Sequence, residues 1–171
     1  MRIVLVVHHF PPLRTSAAVQ LRDLSIEFVR QGHELTVLVA SQELDSPWNL
    51  EDYFGVQVVR LRVPKFMDVG YIRRTLAEFL MPLYMIKNLK KSSIYNCEWD
   101  GIVWYSPTIF LGPIVKALKK KNKCKAYLIV RDIFPDWAVD MGLLRKGGLP
   151  YFFFRTVANY QYALADTIGV Q

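Results

Sequence analysis

MRIVLVVHH, from Met1 to His9, opens the chain with five consecutive apolar residues, Ile3 to Val7, four of them β-branched. A run of that kind suits a strand buried on both faces, as in a parallel sheet. The chain then breaks at His8-His9-Phe10-Pro11-Pro12. Apolar residues follow at Ala17, Ala18, Leu21, Leu24, Phe28 and Val29, the steps of three and four that mark one helix face. Ser16 is placed to cap that helix, and Gly32 to end it in the left-handed conformation. A second strand begins at Glu34. A strand, a crossover helix and a parallel strand form a right-handed unit, and ligands bind such sheets beyond the carboxyl ends of the strands. The loop from His8 to Ala18 is therefore the first place to look for function.

Further along, strands are expected over Val56–Leu61, Gly101–Tyr105 and Ala126–Val130, with another beginning between Asp166 and Gln171. The polar stretch Ser41–Tyr53 reads as a loop, and Pro64 closes the element before it. Tyr71–Lys91 reads as a long helix that Pro82 kinks or splits. A third helix opens at Ser106-Pro107-Thr108, with Ser106 as cap and Pro107 at the first helical position, and runs to about Lys121. A short helix from Pro135 to Leu143, the turn Lys146-Gly147-Gly148 and an aromatic-rich helix from Leu149 to Ala163 follow. The alternation predicts an α/β fold, a Rossmann-like doubly wound parallel sheet, filling residues 1–171 as one domain. Its last strand has no helix after it, as in a piece cut at a domain boundary.

The 171 residues are 52% apolar, enough for a sizeable core, and 22 basic residues against 15 acidic ones give a net charge of +7. Such a surface suits an anionic partner. Cys97 and Cys124 make neither a disulfide framework nor a metal site, which fits a reducing compartment. The start of the chain has no signal-peptide pattern, and no apolar run reaches the length of a membrane span. The first strand is not followed by a spaced-glycine fingerprint, and there is no phosphate-binding Walker loop. These absences weigh against a nicotinamide enzyme, a sugar-nucleotide epimerase or reductase, and an ATPase. Charge alone would allow nucleic acid, but no recognition helix, paired aromatic sheet motif or zinc spacing supports it.

Alternation gathers three polar breaks at one sheet edge: His8–Ala18, Tyr105–Thr108 and Arg131–Asp136. Asp132 is the sharpest candidate. A carboxylate just past a buried strand orients a sugar hydroxyl or takes its proton; the alternative is that it caps the helix near Pro135 or pairs with Arg131. Arg131 carries a donor fork suited to phosphate oxygens, and equally to a structural ion pair. The first turn of the helix at Thr15 and Ser16 offers free amides to an anion. His8 and His9 lack the further ligands a metal needs, so no metal site is expected.

Away from that edge, Arg73, Arg74, Lys87, Lys90 and Lys91 flank an apolar helix bearing Phe79, Leu80 and Leu83. An apolar stripe with basic ends suits an anionic bilayer surface. The alternative is that these apolar residues, with Phe152–Phe154, are core or meet another domain. Lys116–Lys125 reads as a solvated face.

Three stretches together carry a family resemblance: MRIVLVVHHFPP; Arg30-Gln31-Gly32-His33-Glu34 running into Leu35-Thr36-Val37-Leu38; and Arg131-Asp132-Ile133-Phe134-Pro135-Asp136. With Ala163–Val170, the chain resembles the N-terminal domain of the retaining glycosyltransferases of family 4, which have the two-domain GT-B fold. The likeness is greatest to the bacterial O-antigen and capsule subgroup. The resemblance implies an acceptor-binding domain whose C-terminal partner, absent here, binds the UDP-sugar donor, with no tightly bound cofactor. This piece alone would be inactive. The resemblance makes Asp132 the catalytic residue, as base or as orienter of the acceptor hydroxyl. It places the Thr15–Ala18 loop, with Thr15 and Ser16, at the acceptor site and toward the donor phosphates, and Arg22 at the acceptor diphosphate or in packing. His9, Arg14, Ser106 and Arg131, gathered at the same edge by the alternation, complete the expected acceptor and phosphate contacts. Thr15-Ser16-Ala17-Ala18 departs from relatives that carry glycine in that loop. The implied acceptor is a sugar on a polyprenyl diphosphate at the inner face of the bacterial cytoplasmic membrane, which makes the protein cytoplasmic and peripheral. The transferred sugar would be an N-acetylhexosamine, GalNAc or GlcNAc, with N-acetylfucosamine as the alternative. A reading from another class is a non-catalytic α/β domain that docks a partner protein through its aromatic surface.

Overall fold

The computed structural model describes residues 1–106 and 108–171. The expected helix start at Pro107 lies outside the described residues. Strand β1 (Arg2–Val7) is buried along all but its first residue. It is the middle of a seven-stranded sheet. β2 (Glu34–Ser41) and β4 (Val56–Arg62) lie to one side of it; β5 (Gly101–Ser106), β6 (Lys125–Val130) and β7 (Thr167–Val170) lie to the other. These six strands are parallel.

The seventh strand, β3 (Trp48–Tyr53), corrects the expected loop: it pairs antiparallel with β4, so the sheet is mixed. Phe54 and Gly55, at φ 53° and 78°, form a two-residue turn between the paired Tyr53 and Val56. Positive φ at both turn positions matches the twist of a tight hairpin. β3 is an edge strand with one neighbour, and its residues are half-buried or exposed. It needs no apolar run, which is why its polar sequence reads as a loop.

Alternate side chains of the strands feed two cores, as the pleat requires. Helix α1 (Ser16–Arg30) covers one face, placing Ala17, Leu21, Leu24 and Phe28 against Leu5, Val7, Val37, Val39 and Val58. Helices α2 (Tyr71–Leu89) and α3 (Gly112–Asn122) cover the other, placing Met81, Met85, Ile114 and Leu118 among Val4, Val6, Leu38, Val59, Ile102 and Leu128. Helices on both faces make the domain the doubly wound one expected. The short α4 (Asp136–Asp140) leads to α5 (Leu149–Ala163), which packs on α3. A Cβ on Gly112 would lie 2.8 Å from the Tyr160 ring, so glycine is what lets the two helices approach.

Three local expectations change. The cap of α1 is Thr15, whose hydroxyl accepts from the Ala18 N–H at 3.2 Å, rather than Ser16. α2 is not split at Pro82, which is buried within one continuous helix. Ser106 ends β5 opposite Val130, and α3 starts only at Gly112, with Pro113 in its first turn.

Candidate functional site

The carboxyl ends of β1, β5 and β6 hold two polar clusters. The first joins β6 to α1. Arg131 donates from Nη1 to the Ser16 hydroxyl at 3.1 Å and to the Tyr105 hydroxyl at 3.4 Å, and Tyr105 in turn donates to Gln20 Oε1 at 3.3 Å. The bond to Tyr105, and then the charge of Asp132, push the Arg131 pKa up and keep the guanidinium cationic. The first turn of α1 contains no acidic residue. A helix N-terminus and a fixed arginine thus face the same space, an arrangement that attracts an anion. Asp132 is exposed beside this arginine. α4 has no side-chain cap, so the capping alternative for Asp132 does not arise. Asp136 is committed elsewhere, accepting from Arg155 at 2.7 Å and from the Tyr151 hydroxyl at 3.2 Å.

The second cluster lies between β1, the segment after β5, and α2. The His8 and His9 rings stack with centroids 3.9 Å apart and lie beside Phe66. Burial first, and then neighbouring positive charge, push both imidazole pKa values down, His8 the further, so both rings are neutral at pH 7. Glu78 of α2 accepts from Arg74 at 2.8 Å and from the Thr108 hydroxyl at 3.2 Å. Sequence reading missed Glu78 because its stretch was read for apolar periodicity; the i,i+4 spacing of Arg74 and Glu78 was the available signal.

The remaining candidates sit as follows. Arg14 is exposed in the loop before α1. Arg22 pairs with its neighbour Asp23 at 2.7 Å on the outer surface of α1. Ser106 is buried, and its hydroxyl accepts from Gln161 of α5 at 2.9 Å, a packing contact beneath the edge. Arg131, Ser16 and Thr15 come together; His9 joins the second cluster instead.

On α2, Phe79 and Leu83 are exposed together with Ile72 and Leu76, while Leu80 is half-buried. The Phe79 and Phe153 rings are 6.1 Å apart, so exposed Phe152, Phe153 and Leu149 of α5 continue the same apolar surface. Arg73, Lys87, Lys90 and Lys91 are exposed along the same helix and just beyond its end, whereas Arg74 is drawn to Glu78. In the lysine run, Lys119 and Lys125 bind Asp166 at 2.7 and 3.1 Å, and Lys121 donates to the carbonyls of Tyr95 and Cys97. Part of that run is therefore structural. Among the described residues, no helix is long and apolar enough to cross a membrane.

No family model matches the chain, and no curated protein matches it. Solved structures do. Sucrose-phosphate synthase from Thermosynechococcus elongatus aligns over 98% of this chain and 41% of its own, with TM-score 0.65 and 13% identity. An α,α-trehalose-phosphate synthase (UDP-forming) from Burkholderia xenovorans, in complex with glucose-6-phosphate, aligns over 99% of this chain and 40% of its own, with TM-score 0.64 and 14% identity. The E. coli structure of trehalose-6-phosphate bound with UDP-2-fluoro glucose gives 0.60 and 12%, over 99% of this chain and 39% of its own. The chain has the fold of the N-terminal Rossmann-like domain of two-domain GT-B enzymes, and it spans about two fifths of the length of the structures it matches.

Proposed function

We propose that this chain is the acceptor-binding half of a retaining glycosyltransferase of family 4. In this reading a C-terminal domain supplies most contacts to a UDP-sugar. The sugar, an N-acetylhexosamine, passes to a sugar carried on polyprenyl diphosphate during O-antigen or related polysaccharide synthesis. The observation that carries the reading is the convergence of Arg131, Ser16 and the N-terminus of α1 at the carboxyl edge, on a fold shared with a UDP-forming synthase. The anion held there is a diphosphate, and Asp132 beside it meets the acceptor hydroxyl. The apolar surface of α2 and α5, with its exposed Arg73, Lys87, Lys90 and Lys91, supports peripheral contact with the anionic inner face of the cytoplasmic membrane.

The test is transfer by the two-domain parent enzyme. It is given a panel of UDP-sugars and a polyprenyl-diphosphate-linked GlcNAc or GalNAc acceptor, and the anomeric form of the product is read by NMR. An α-linked product from an α-linked donor is expected. No transfer from any donor to any acceptor would leave the second reading, a protein-docking domain, which the exposed Phe79, Phe152 and Phe153 also favour.

A further inference from the structure

Glu78 is out of place for a surface helix residue. Its side chain is only 12% exposed, and it lies between Ala77 and the fully buried Met81 on the sheet-facing side of α2. A carboxylate taken that far from water loses hydration, and a salt bridge to a 56%-exposed arginine returns little of it. Stability is therefore a poor reason for an acid here. The local geometry gives a better one. Arg74 occupies Oε1 and Thr108 occupies Oε2, which fixes the plane of the carboxylate. An ionised carboxyl has about four acceptor positions, so each oxygen keeps one for a further donor. His9 is half-buried next to this pair and feels the charges of both Arg74 and Glu78. Its neutral ring adds one donor and one acceptor, backed by His8 and Phe66. Oriented acceptors beside a flat ring are what a pyranose needs: hydroxyls to donate, and a C–H face to pack.

Position along the helix identifies which sugar. Glu78 is followed at once by Phe79, which is exposed and touches Phe153 in the apolar surface. One turn of α2 thus presents a carboxylate to the Thr108 and His9 side and an aromatic ring to the proposed bilayer. A sugar bound at Glu78 would be one whose carrier lipid lies against that surface. Resting on the acceptor reading above, we infer that Glu78 is the specificity-determining residue for the acceptor: its carboxylate, oriented by Arg74 and Thr108, accepts hydrogen bonds from hydroxyls of the lipid-linked sugar.

The test is calorimetric binding of two short-chain probes to the 171-residue chain, polyprenyl diphosphate carrying GlcNAc and the same lipid without sugar. The wild type is expected to prefer the glycosylated lipid by about tenfold or more, the size of a hydrogen bond to a charged group. Glu78→Gln removes that preference and leaves affinity for the sugar-free lipid unchanged. Thr108→Val, which frees the carboxylate without removing it, reduces the preference several-fold and covers the case in which Glu78→Gln does not fold. Full preference retained by folded Glu78→Gln overturns the assignment. So does a wild type that binds both lipids equally, an outcome that leaves the acceptor reading standing. A wild type that binds neither lipid overturns the acceptor reading, and this inference with it.

Discussion

The Arg131 guanidinium donates to the Ser16 hydroxyl at 3.1 Å, joining positions 115 residues apart in sequence. The end of β6 thereby holds the first turn of α1, and the cation is presented at that helix N-terminus, whose Ala18 amide Thr15 caps. Replacing Arg131 with Gln keeps a donor for Ser16 and removes the charge. Under the proposed function, affinity for a polyprenyl diphosphate falls about ten- to a hundredfold, and Ser16→Ala costs only a few-fold. Titration of both variants in parallel checks this. Equal losses would mean that the hydroxyl, and not the charge, holds the ligand.

Asp132 is exposed and caps no helix, so its removal touches little of the fold. Asp132→Asn is expected to change unfolding free energy by less than about 0.5 kcal/mol, the ordinary range for an exposed site. Under the proposed function, turnover of the two-domain enzyme drops at least about a hundredfold, the usual contribution of a positioned acid or base. Denaturant melts and steady-state rates measure the two effects separately. Normal turnover would remove Asp132 from the chemistry.

The surface formed by α2 and α5 makes a prediction that separates its two components. Phe79→Ser with Phe153→Ser removes two adjacent exposed rings, which are backed by Phe110 and Phe154, and should weaken vesicle binding at every salt concentration. Neutralising Lys87, Lys90 and Lys91 should weaken it most at low salt and only on anionic vesicles, at about 1 kcal/mol per charge. Co-sedimentation with neutral and anionic vesicles distinguishes them. Binding unchanged in both variants would turn the aromatic surface over to a protein partner.

How much of this was legible in sequence follows from how many neighbours each segment has. β1 is buried between two strands and two helix layers, so its residues had to be apolar and its identity was plain. The α1–Gly32–β2 junction was equally plain, because Gly32 takes φ 80° at the helix end. α5 begins and ends where its pattern said, at Leu149 and Ala163. β3, with one neighbour, left no such imprint. Ser106 shows another limit: a serine at a strand end reads the same whether it faces a cleft or accepts from a buried Gln161. Glu78 shows a third, since an acid in an amphipathic pattern reads as solvated until the fold places it 12% exposed against Thr108. The carboxyl edge as a region was legible; which of its side chains meet was set by tertiary contacts.

The approach of α3 to α5 depends on Gly112 having no side chain. Gly112→Ala puts a methyl group 2.8 Å from the Tyr160 ring, closer than carbon atoms pack. Overpacking of this kind typically costs about 1–3 kcal/mol. The midpoint of urea unfolding should fall accordingly, and Tyr160→Ala in the same chain should recover part of the loss. Additive losses would show that the two positions do not press on each other.

Asp166, just before β7, gathers Lys119, the backbone N–H of Ala126 and Lys125, in that order of effect, and these hold its pKa well below the ordinary carboxylate range. A depressed folded-state pKa means that the carboxylate binds its proton more readily when the chain is unfolded. The stabilisation is therefore fully present above the ordinary carboxylate pKa of about 4, and is lost as pH falls from there toward the folded value. Asp166→Asn removes the charge at every pH. Its thermal midpoint is expected to lie about 2–4 °C below wild type at pH 7, a modest loss for a domain of this length, and the two curves should converge toward pH 2. Melting curves collected across that range decide it. A constant gap between variant and wild type down to pH 2 would mean that Asp166 acts through its hydrogen-bond geometry alone, and that the lysines around it contribute no net charge stabilisation to the docking of β7 on β6.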